Sequence, residues 1–299
     1  MRFLYFMALN NSIIFLIVEK CKKCYTISIG SVYGHRKSLL LNFLCISYSI
    51  ARKEVSMYRN FIFDLYGTLV DIHTNEHKPS LWKKMALFYS FQGAAYTGKE
   101  LRCRYRQLET AARKAPSPYA YPEICAADIF RILYTEKGIQ PSEALLTATG
   151  QFFRIESLHT LQCYPASIDT LQKLHANGCG VYLLSNAQRI FTEYELRSLG
   201  LWELFDGILI SSDEGCCKPD PAFFRILFDR YGLNPADCLM IGNERTSDLA
   251  GAVAAGIDCC YLHTATSSGS ADDTPEEARF TVMDGDSYSL QKLLLTLPG

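Results

Sequence analysis

The 299-residue sequence lacks a strong net charge and a long uninterrupted apolar segment. Its formal net charge is −1, which argues against a general attraction to nucleic acid or to an anionic membrane. The apolar run over residues 3–18 is shorter than the ~20 residues that span a bilayer, and Asn10, Asn11 and Ser12 interrupt it. No small-residue cleavage site follows this run. We therefore expect a cytoplasmic protein with neither a nucleic-acid nor a membrane partner.

The twelve cysteines lack the spacing of a disulfide framework. Most of them outside the N-terminal segment lie in apolar runs such as "DCLMIG" and "DCCYLH", which is typical of buried free thiols in a reducing compartment. Cys21 and Cys24 form a CxxC pair, but no second pair of ligands follows at zinc-finger spacing. The sequence therefore predicts free thiols and no structural zinc.

The first 56 residues differ in charge from the remainder of the chain. They contain eight Lys and Arg against two Glu, a charge of +6, so the other residues carry −7. Met57 stands three residues before the first clear strand pattern, which begins at Asn60. We therefore interpret residues 1–56 as an N-terminal extension that is either disordered or translated from upstream of a start at Met57.

Short apolar runs alternate with helical patterns from Asn60 onward. The runs "NFIFDL", "GVYLLSN", "GILIS", "CLMIGN" and "CCYLH" are nearly continuous in apolar residues, as strands covered on both faces are. Between them, one helix is expected to start near Pro221 and stop at Gly232, and another to start at a Ser247 cap and stop at Gly256. This alternation predicts an α/β protein with a doubly wound parallel sheet, built from residues 57–72 and 165–299.

Residues 73–164 carry helical patterns and no strand pattern. Examples are "LWKKMALFYSF" and "ICAADIFRILYTEKG", which the turn-rich segment "APSPYAYP" separates. A helical insertion directly after the first strand predicts a second, lid-like cap domain.

Polar residues stand where three of the predicted strands end, namely Asp64, Ser185 and Asn243. Ligands of doubly wound sheets bind beyond the carboxyl ends of the strands, so these residues are expected to converge on one crevice. Asp64 suits a nucleophile or a metal ligand, and Lys218 suits a phosphate contact. Asp64 and Asp248 together would form the two-carboxylate site that Mg²⁺ favours. Taken singly, each residue also fits a cap, a turn or a solvated surface position.

Four segments share an order along the chain with known motifs: "FDLYGTLVD", "LLSN", "KPDP" and "IGNERTSDLAGAVAAGI". From about Tyr58 onward the sequence resembles the haloacid dehalogenase-like hydrolase superfamily, in the form with a helical cap between the first and second motifs and a Rossmann-like core. The resemblance implies that Asp64 is the nucleophile and forms an aspartyl intermediate. It implies that Ser185, the backbone N–H of Asn186 and Lys218 hold the transferred group.

The same resemblance implies a magnesium site. Its ligands would be Asp64, the carbonyl of Tyr66 and Asp248, with Asn243 acting through a water molecule. The expected function is therefore Mg²⁺-dependent hydrolysis of a small phosphorylated metabolite through an aspartyl-phosphate.

Tyr66 departs from the pattern of the family's phosphatases, which have a second Asp at this place to protonate the leaving oxygen. A phenol with a pKa near 10 is a poor base at neutral pH. Glu244 and His73 are the first candidates for a replacement proton donor, because they are close in sequence to the proposed site.

Tyr66 also fits the family's 2-haloacid dehalogenases, which show Asp, Tyr and Gly-Thr-Leu in this order. Other dehalogenase features are missing: Phe224 and Arg245 stand where those enzymes have Tyr and Asn. The cap arginine expected near Ala95 is also absent. A phosphohydrolase is favoured, while a dehalogenase and a non-catalytic binding protein stay open as alternatives. The nearest substitutes for the cap arginine are Arg102, Arg104 and Arg106.

Overall fold

The computed structural model describes residues 58–270 and 272–298 with their side chains, and residues 2–9, 12–20, 25–35 and 38–44 as backbone strands. The chain divides into two compact units, residues 1–56 and residues 57–299.

The first unit contains a four-stranded antiparallel sheet in the order β1-β2-β3-β4. We expected residues 1–56 to be disordered or translated from upstream of the start, whereas the structure has four strands there. Runs such as "SIIFLIV" and "YTISIGSVY" are rich in β-branched and aromatic residues, which favour strands. The Cys21–Cys24 pair and the proposed start at Met57 lie outside the described residues. The strands are β1 (Arg2–Leu9), β2 (Ser12–Lys20), β3 (Tyr25–His35) and β4 (Ser38–Leu44).

We expect a chain shortened to residues 57–299 to fold and to melt within a few degrees of the full chain. The reason is that residues 57–299 form a compact unit with a complete sheet of their own. Thermal unfolding of both proteins, followed by circular dichroism, tests this. A fall in melting temperature of ~10 °C or more would mean that the first unit contributes several kcal/mol to the second, because 1 kcal/mol shifts a domain of this size by ~2–4 °C.

The second unit is built on a six-stranded, fully parallel sheet in the order β12-β11-β10-β5-β8-β9. The predicted doubly wound α/β core is thereby confirmed, and the short edge strand β12 was not predicted. Two further strands, β6 and β7, pair with each other in antiparallel fashion. The strands of this unit are β5 (Asn60–Phe63), β6 (Val70–Thr74), β7 (Leu158–Cys163), β8 (Gly180–Ser185), β9 (Gly207–Ile210), β10 (Cys238–Gly242), β11 (Asp258–Leu262) and β12 (Phe280–Val282).

Ten helices accompany these strands in the described residues, and in that part of the chain none is long and apolar enough to cross a bilayer. They are α1 (Pro79–Phe91), α2 (Gly98–Lys114), α3 (Ala126–Thr135), α4 (Glu143–Ser157), α5 (Ser167–Ala176), α6 (Arg189–Ser198), α7 (Ser211–Glu214), α8 (Pro221–Tyr231), α9 (Ala250–Ala255) and α10 (Ser287–Leu294).

Three of the four predicted helix ends are correct and one is wrong. Helix α8 begins at Pro221 and is capped by Gly232, and α9 is capped by Gly256; both glycines have the positive φ typical of a helix C-terminus. Ser247 is not a cap, because α9 is preceded by a π-helical turn, Arg245–Leu249. The side chain of Glu244 caps this turn by accepting a hydrogen bond from the Thr246 N–H.

Helices α1–α4, the helical insertion, surround an aromatic cluster that includes Trp82, Tyr105, Phe130 and Phe153. Phe191 of α6 stacks on Phe153 and joins the sheet-bearing part to this cluster. The prediction of no strand within residues 73–164 is wrong, because β7 lies there. Strands β6 and β7 are the two chain segments that enter and leave the insertion, and their pairing joins residues far apart in sequence.

The nine cysteines between residues 58 and 298 are free, and five of them are buried. This confirms the expectation of free thiols for the described part of the chain. Burial raises the pKa of the Cys216 and Cys238 thiols to about 12, so they are unreactive at neutral pH.

Candidate active site

Asp64 follows β5, which lies in the middle of the sheet between β10 and β8. Its N–H donates to the Ile241 carbonyl at 2.9 Å, so the backbone of the residue is still held by the neighbouring strand. Gly67 then reverses the chain with φ of +85°, and a Cβ at this position would lie 2.4 Å from Asn243 Nδ2. The turn after Asp64 therefore requires glycine and brings the ends of β5 and β10 together.

Lys218 lies between two carboxylates. Its Nζ donates to Asp64 Oδ1 at 2.6 Å and to the Leu184 carbonyl at 2.7 Å, and it lies 2.8 Å from Asp248 Oδ1. Burial alone would lower the pKa of Lys218, but Asp248 and Asp64 outweigh it and raise the pKa. The ammonium is therefore charged and joins three segments of the chain.

One lysine does not compensate the two buried carboxylates. Burial raises the pKa of Asp64 to about 6; Lys218 opposes this rise and Asp248 adds to it. Because Asp64 Oδ1 and Asp248 Oδ1 contact the same Nζ, these two oxygens lie within ~6 Å of each other. No group of three or more His, Cys, Asp or Glu residues with the geometry of a metal site occurs among the described residues. Two carboxylates with water, backbone carbonyl or substrate oxygens suit Mg²⁺, which keeps several such ligands.

Neighbouring residues hold the two acids in place. Thr68 Oγ1 donates to Asn243 Oδ1 at 3.2 Å and lies 3.4 Å from Asp64 Oδ2. Asp248 Oδ2 accepts the Glu244 N–H at 2.9 Å, and Gly242 leaves the space that this carboxylate fills. Among the side chains that the structure describes, only Thr68 contacts Asp64 Oδ2, whereas Asp64 Oδ1 is held by Lys218.

Ser185 and Asn186 follow β8 beside Lys218. The Asn186 side chain forms two hydrogen bonds with the Lys218 backbone. Asn186 Nδ2 donates to the Lys218 carbonyl at 2.9 Å, and the Lys218 N–H donates to Asn186 Oδ1 at 2.8 Å, so this side chain positions the lysine. The Ser185 hydroxyl is fully buried and has no hydrogen-bond partner among the described residues. A buried hydroxyl without a partner is costly, and an incoming oxygen atom would satisfy it.

Tyr66 belongs to a buried network that the sequence did not reveal. Its hydroxyl donates to Glu195 and lies 2.9 Å from Thr192 Oγ1. Glu195 Oε1 lies 2.9 Å from Arg154 Nε, which links α6 to the helical insertion. Burial raises the pKa of Tyr66 well above 10, and Glu195 adds to this rise, so the phenol stays protonated. The only sequence signal was a glutamate at a helical position next to the apolar Leu196.

A cavity of about 360 Å³ opens beside this network. Tyr66 and Asn186 line it together with the aromatic side chains of Tyr105 and Phe191, whereas Asp64, Ser185 and Lys218 are not among its lining residues. A larger depression of about 700 Å³ runs along α2 and contains none of the residues around Asp64, so the smaller cavity is the candidate substrate site.

Several residues suspected from the sequence do not line this cavity. Glu244 bonds instead to Thr246 and Ser268, and His73 is exposed beside Asp71. The suspected arginines also lie elsewhere: Arg104 pairs with Glu136, Arg106 contacts His77, and Arg102 lines the depression along α2.

Arg113 and Arg154 are the arginines that line the cavity. The structure thus brings together the six residues Asp64, Ser185, Asn186, Lys218, Asn243 and Asp248, and none of the suspected additions lines the cavity.

The model of one protein family, the haloacid dehalogenase-like hydrolases, matches residues 58–256. The chain belongs to this family. Similar proteins include (S)-2-haloacid dehalogenase 4A of Burkholderia cepacia, 26% identical over 244 residues that cover 80% of this chain and 94% of that protein. A phosphoglycolate phosphatase of Yersinia pseudotuberculosis is 34% identical over 210 residues, covering 68% of this chain and 80% of the relative.

A solved HAD phosphatase from Thermococcus onnurineus superposes with a TM-score of 0.50 at 20% identity, covering 79% of this chain and 97% of that one. At this identity the superposition supports the fold alone. The chain is therefore a hydrolase of the haloacid dehalogenase-like (HAD) family. Its relatives include both phosphatases and dehalogenases.

Proposed function

We propose that this HAD-family hydrolase releases phosphate from a small phosphorylated metabolite, with Asp64 as nucleophile and Mg²⁺ as cofactor. The observation that carries the proposal is the pair of carboxylates, Asp64 and Asp248, on one lysine Nζ. This cluster has an excess of negative charge, which a divalent cation would offset before an anionic phosphate approaches Asp64. The helical insertion would act as the cap and determine which substrate enters.

The proposed reaction has two displacements at phosphorus. Asp64 Oδ2 attacks, so that an aspartyl O–P bond forms while the bond to the leaving alcohol oxygen breaks. Water then cleaves the aspartyl-phosphate and restores the carboxylate. Lys218, the Ser185 hydroxyl and the Asn186 N–H would hold the phosphoryl oxygens.

The site residues fit a bound metal ion. Asp64, the Tyr66 carbonyl and Asp248 would hold Mg²⁺, with Asn243 acting through water, and the ion would neutralise phosphoryl charge. The Tyr66 proton is directed to Glu195, which leaves this residue a poor donor to a departing alkoxide.

Dehalogenation is the second candidate function, and Tyr66 is the observation that favours it. A halide leaves without a proton, so a neutral phenol beside the nucleophile is no handicap in that reaction. The burial of Phe224, where the dehalogenases have Tyr, argues against it.

A panel of phosphate esters and 2-chloropropionate, assayed with Mg²⁺ and with EDTA, tests the proposal. We expect phosphate release that requires Mg²⁺ and no halide release. Halide release in EDTA would support the dehalogenase instead, and no turnover of any compound would indicate a non-catalytic binding protein.

We also expect Asp248→Ala to abolish Mg²⁺ binding, because it removes one of two protein carboxylates from the site. Isothermal titration of Mg²⁺ into the folded variant measures this. Asp248→Asn tests the charge without the loss of volume, and Asp229→Asn, an exposed change on α8, is the matched control. Unchanged Mg²⁺ affinity in both Asp248 variants would contradict the proposed site.

A further inference from the structure

The candidate substrate cavity has charged groups of both signs in its wall. Three carboxylates, Glu76, Glu109 and Glu123, line it together with two guanidinium groups, Arg113 and Arg154. Whether a negative substrate group finds a free positive partner there depends on how these arginines are already paired.

Both arginines are engaged by carboxylates. Arg113 lies 3.2 Å from Glu109, and Arg154 lies 2.9 Å from Glu195 and 3.7 Å from Glu76. The Arg154 guanidinium also stacks over the Phe191 ring, 4.4 Å from its centroid. Each guanidinium therefore already has a carboxylate partner, Arg113 through one of its nitrogens and Arg154 through two.

Two of the carboxylates have incomplete compensation. Glu123 accepts hydrogen bonds from the Ser211 hydroxyl and the Ile124 N–H, each at 2.9 Å, and both of these donors are neutral. Glu76 shares Arg154 with Glu195; burial raises the pKa of Glu76, Arg154 opposes this rise and Glu109 adds to it. The three carboxylates that line the cavity outnumber its two guanidinium groups, and Arg154 is shared with the buried Glu195, so the wall has an excess of negative charge.

We propose that the substrate is a phosphate monoester of a small amino alcohol, whose ammonium group occupies the space beside Glu76 and Glu123. This inference rests on the proposed phosphohydrolase function and adds the class of leaving group to it. The leaving oxygen of such an ester is an alkoxide, so turnover is expected to be slow while Tyr66 donates no proton. A cation gains from the uncompensated carboxylates, whereas a second anionic group is repelled by them. The volume of about 360 Å³ fits a small metabolite. The proposal makes phosphoglycolate, which is carboxymethyl phosphate, and 2-haloacids poor substrates, because both carry a carboxylate.

Three phosphate monoesters of similar size test the charge preference: 2-aminoethyl, 2-hydroxyethyl and carboxymethyl phosphate. With Mg²⁺ present, we expect kcat/KM to fall about tenfold from the ammonium to the hydroxyl compound, and about tenfold again to the carboxylate compound. Raising NaCl from 50 to 500 mM should narrow these ratios, because salt screens the cavity charge.

Glu76→Gln and Glu123→Gln keep the size of each side chain and remove its charge. We expect each variant to reduce the preference for the ammonium compound over the carboxylate compound by about tenfold. Glu156→Gln, on the exposed Lys84 ion pair outside the cavity, is the control and should leave the ratios unchanged.

A carboxymethyl ester cleaved as fast as the aminoethyl ester would overturn this inference and leave the phosphohydrolase intact. The inference would also be overturned if the kcat/KM ratios between the esters stayed the same in both glutamine variants and at high salt. An aryl phosphate is assayed beside the three esters as a reactive reference. Cleavage of the aryl phosphate alone would overturn this inference. Cleavage of none of the four compounds would overturn the proposed function together with this inference.

Discussion

Replacing Asp64 by Asn is expected to reduce phosphate release by roughly 10⁴-fold or more, because it removes the nucleophile that the proposed reaction requires. The loss should be equal for aryl and alkyl phosphates, since both displacements need the same carboxylate. Steady-state phosphate release and trapping of a labelled aspartyl-phosphate measure it. Asp71→Asn on β6, where the carboxylate bonds to Gln162, is a matched control that should retain activity.

The same replacement is expected to preserve or increase stability in the absence of Mg²⁺. The pKa of Asp64 is about 6 in the folded chain against an ordinary value of 3.8. Between these values the folded state binds more protons than the unfolded state, so stability falls as the pH rises through this interval. The asparagine variant has no such charge to desolvate, and Lys218 keeps Asp248 as its partner.

At pH 7 we expect the Asp64→Asn variant to exceed the metal-free parent by up to ~2–3 kcal/mol. Urea unfolding in EDTA measures the difference. A variant that is inactive because it is unfolded would contradict both expectations. Retained activity in a folded variant would show that Asp64 is not the nucleophile.

Tyr66→Asp is expected to raise the rate on alkyl phosphates by ~10²-fold or more, and the rate on aryl phosphates far less. An alkoxide needs a proton as it leaves, and a general acid commonly contributes ~10²–10⁴ in rate. The parent protein should accordingly show a steep dependence on the pKa of the leaving group. A series of phosphate monoesters that spans phenols and alcohols measures this slope in the parent and in the variant.

Tyr66→Asn is the matched control, because it removes the phenol as Asp does but supplies no acid. Both replacements leave Glu195 without its phenol donor, so a similar loss of stability of ~1–3 kcal/mol is expected in each. A gain in rate in the Asp variant alone would therefore come from proton donation. A flat leaving-group dependence in the parent would show that another group supplies the proton, and the cavity carboxylates would be the first to examine.

The dehalogenase alternative predicts the opposite outcome for the same variant. Halide release from 2-chloropropionate would be lost in Tyr66→Asp, because a second negative charge beside the nucleophile repels the substrate carboxylate. Halide release by the parent protein in the absence of Mg²⁺ would support this alternative.

The fold of the α/β core and several residues of the candidate site followed from local sequence patterns. Buried parallel strands are continuous apolar runs, and their carboxyl ends meet at one edge of the sheet. For this reason the strand pattern by itself predicts that Asp64, Ser185 and Asn243 converge. Lys218 and Asp248 followed from the motif order that the sequence shares with its family.

The hydrogen-bond partners of Tyr66 were evident only from the tertiary structure. Its hydroxyl meets Glu195, 129 residues away in sequence, and Glu195 in turn meets Arg154 of the helical insertion. The pairing of β6 with β7 and the carboxylates in the cavity wall are likewise set by residues distant in sequence. Such contacts have no periodicity along the chain, because they depend on how the insertion packs on the sheet-bearing part. The charge that the substrate meets is therefore a property of that packing.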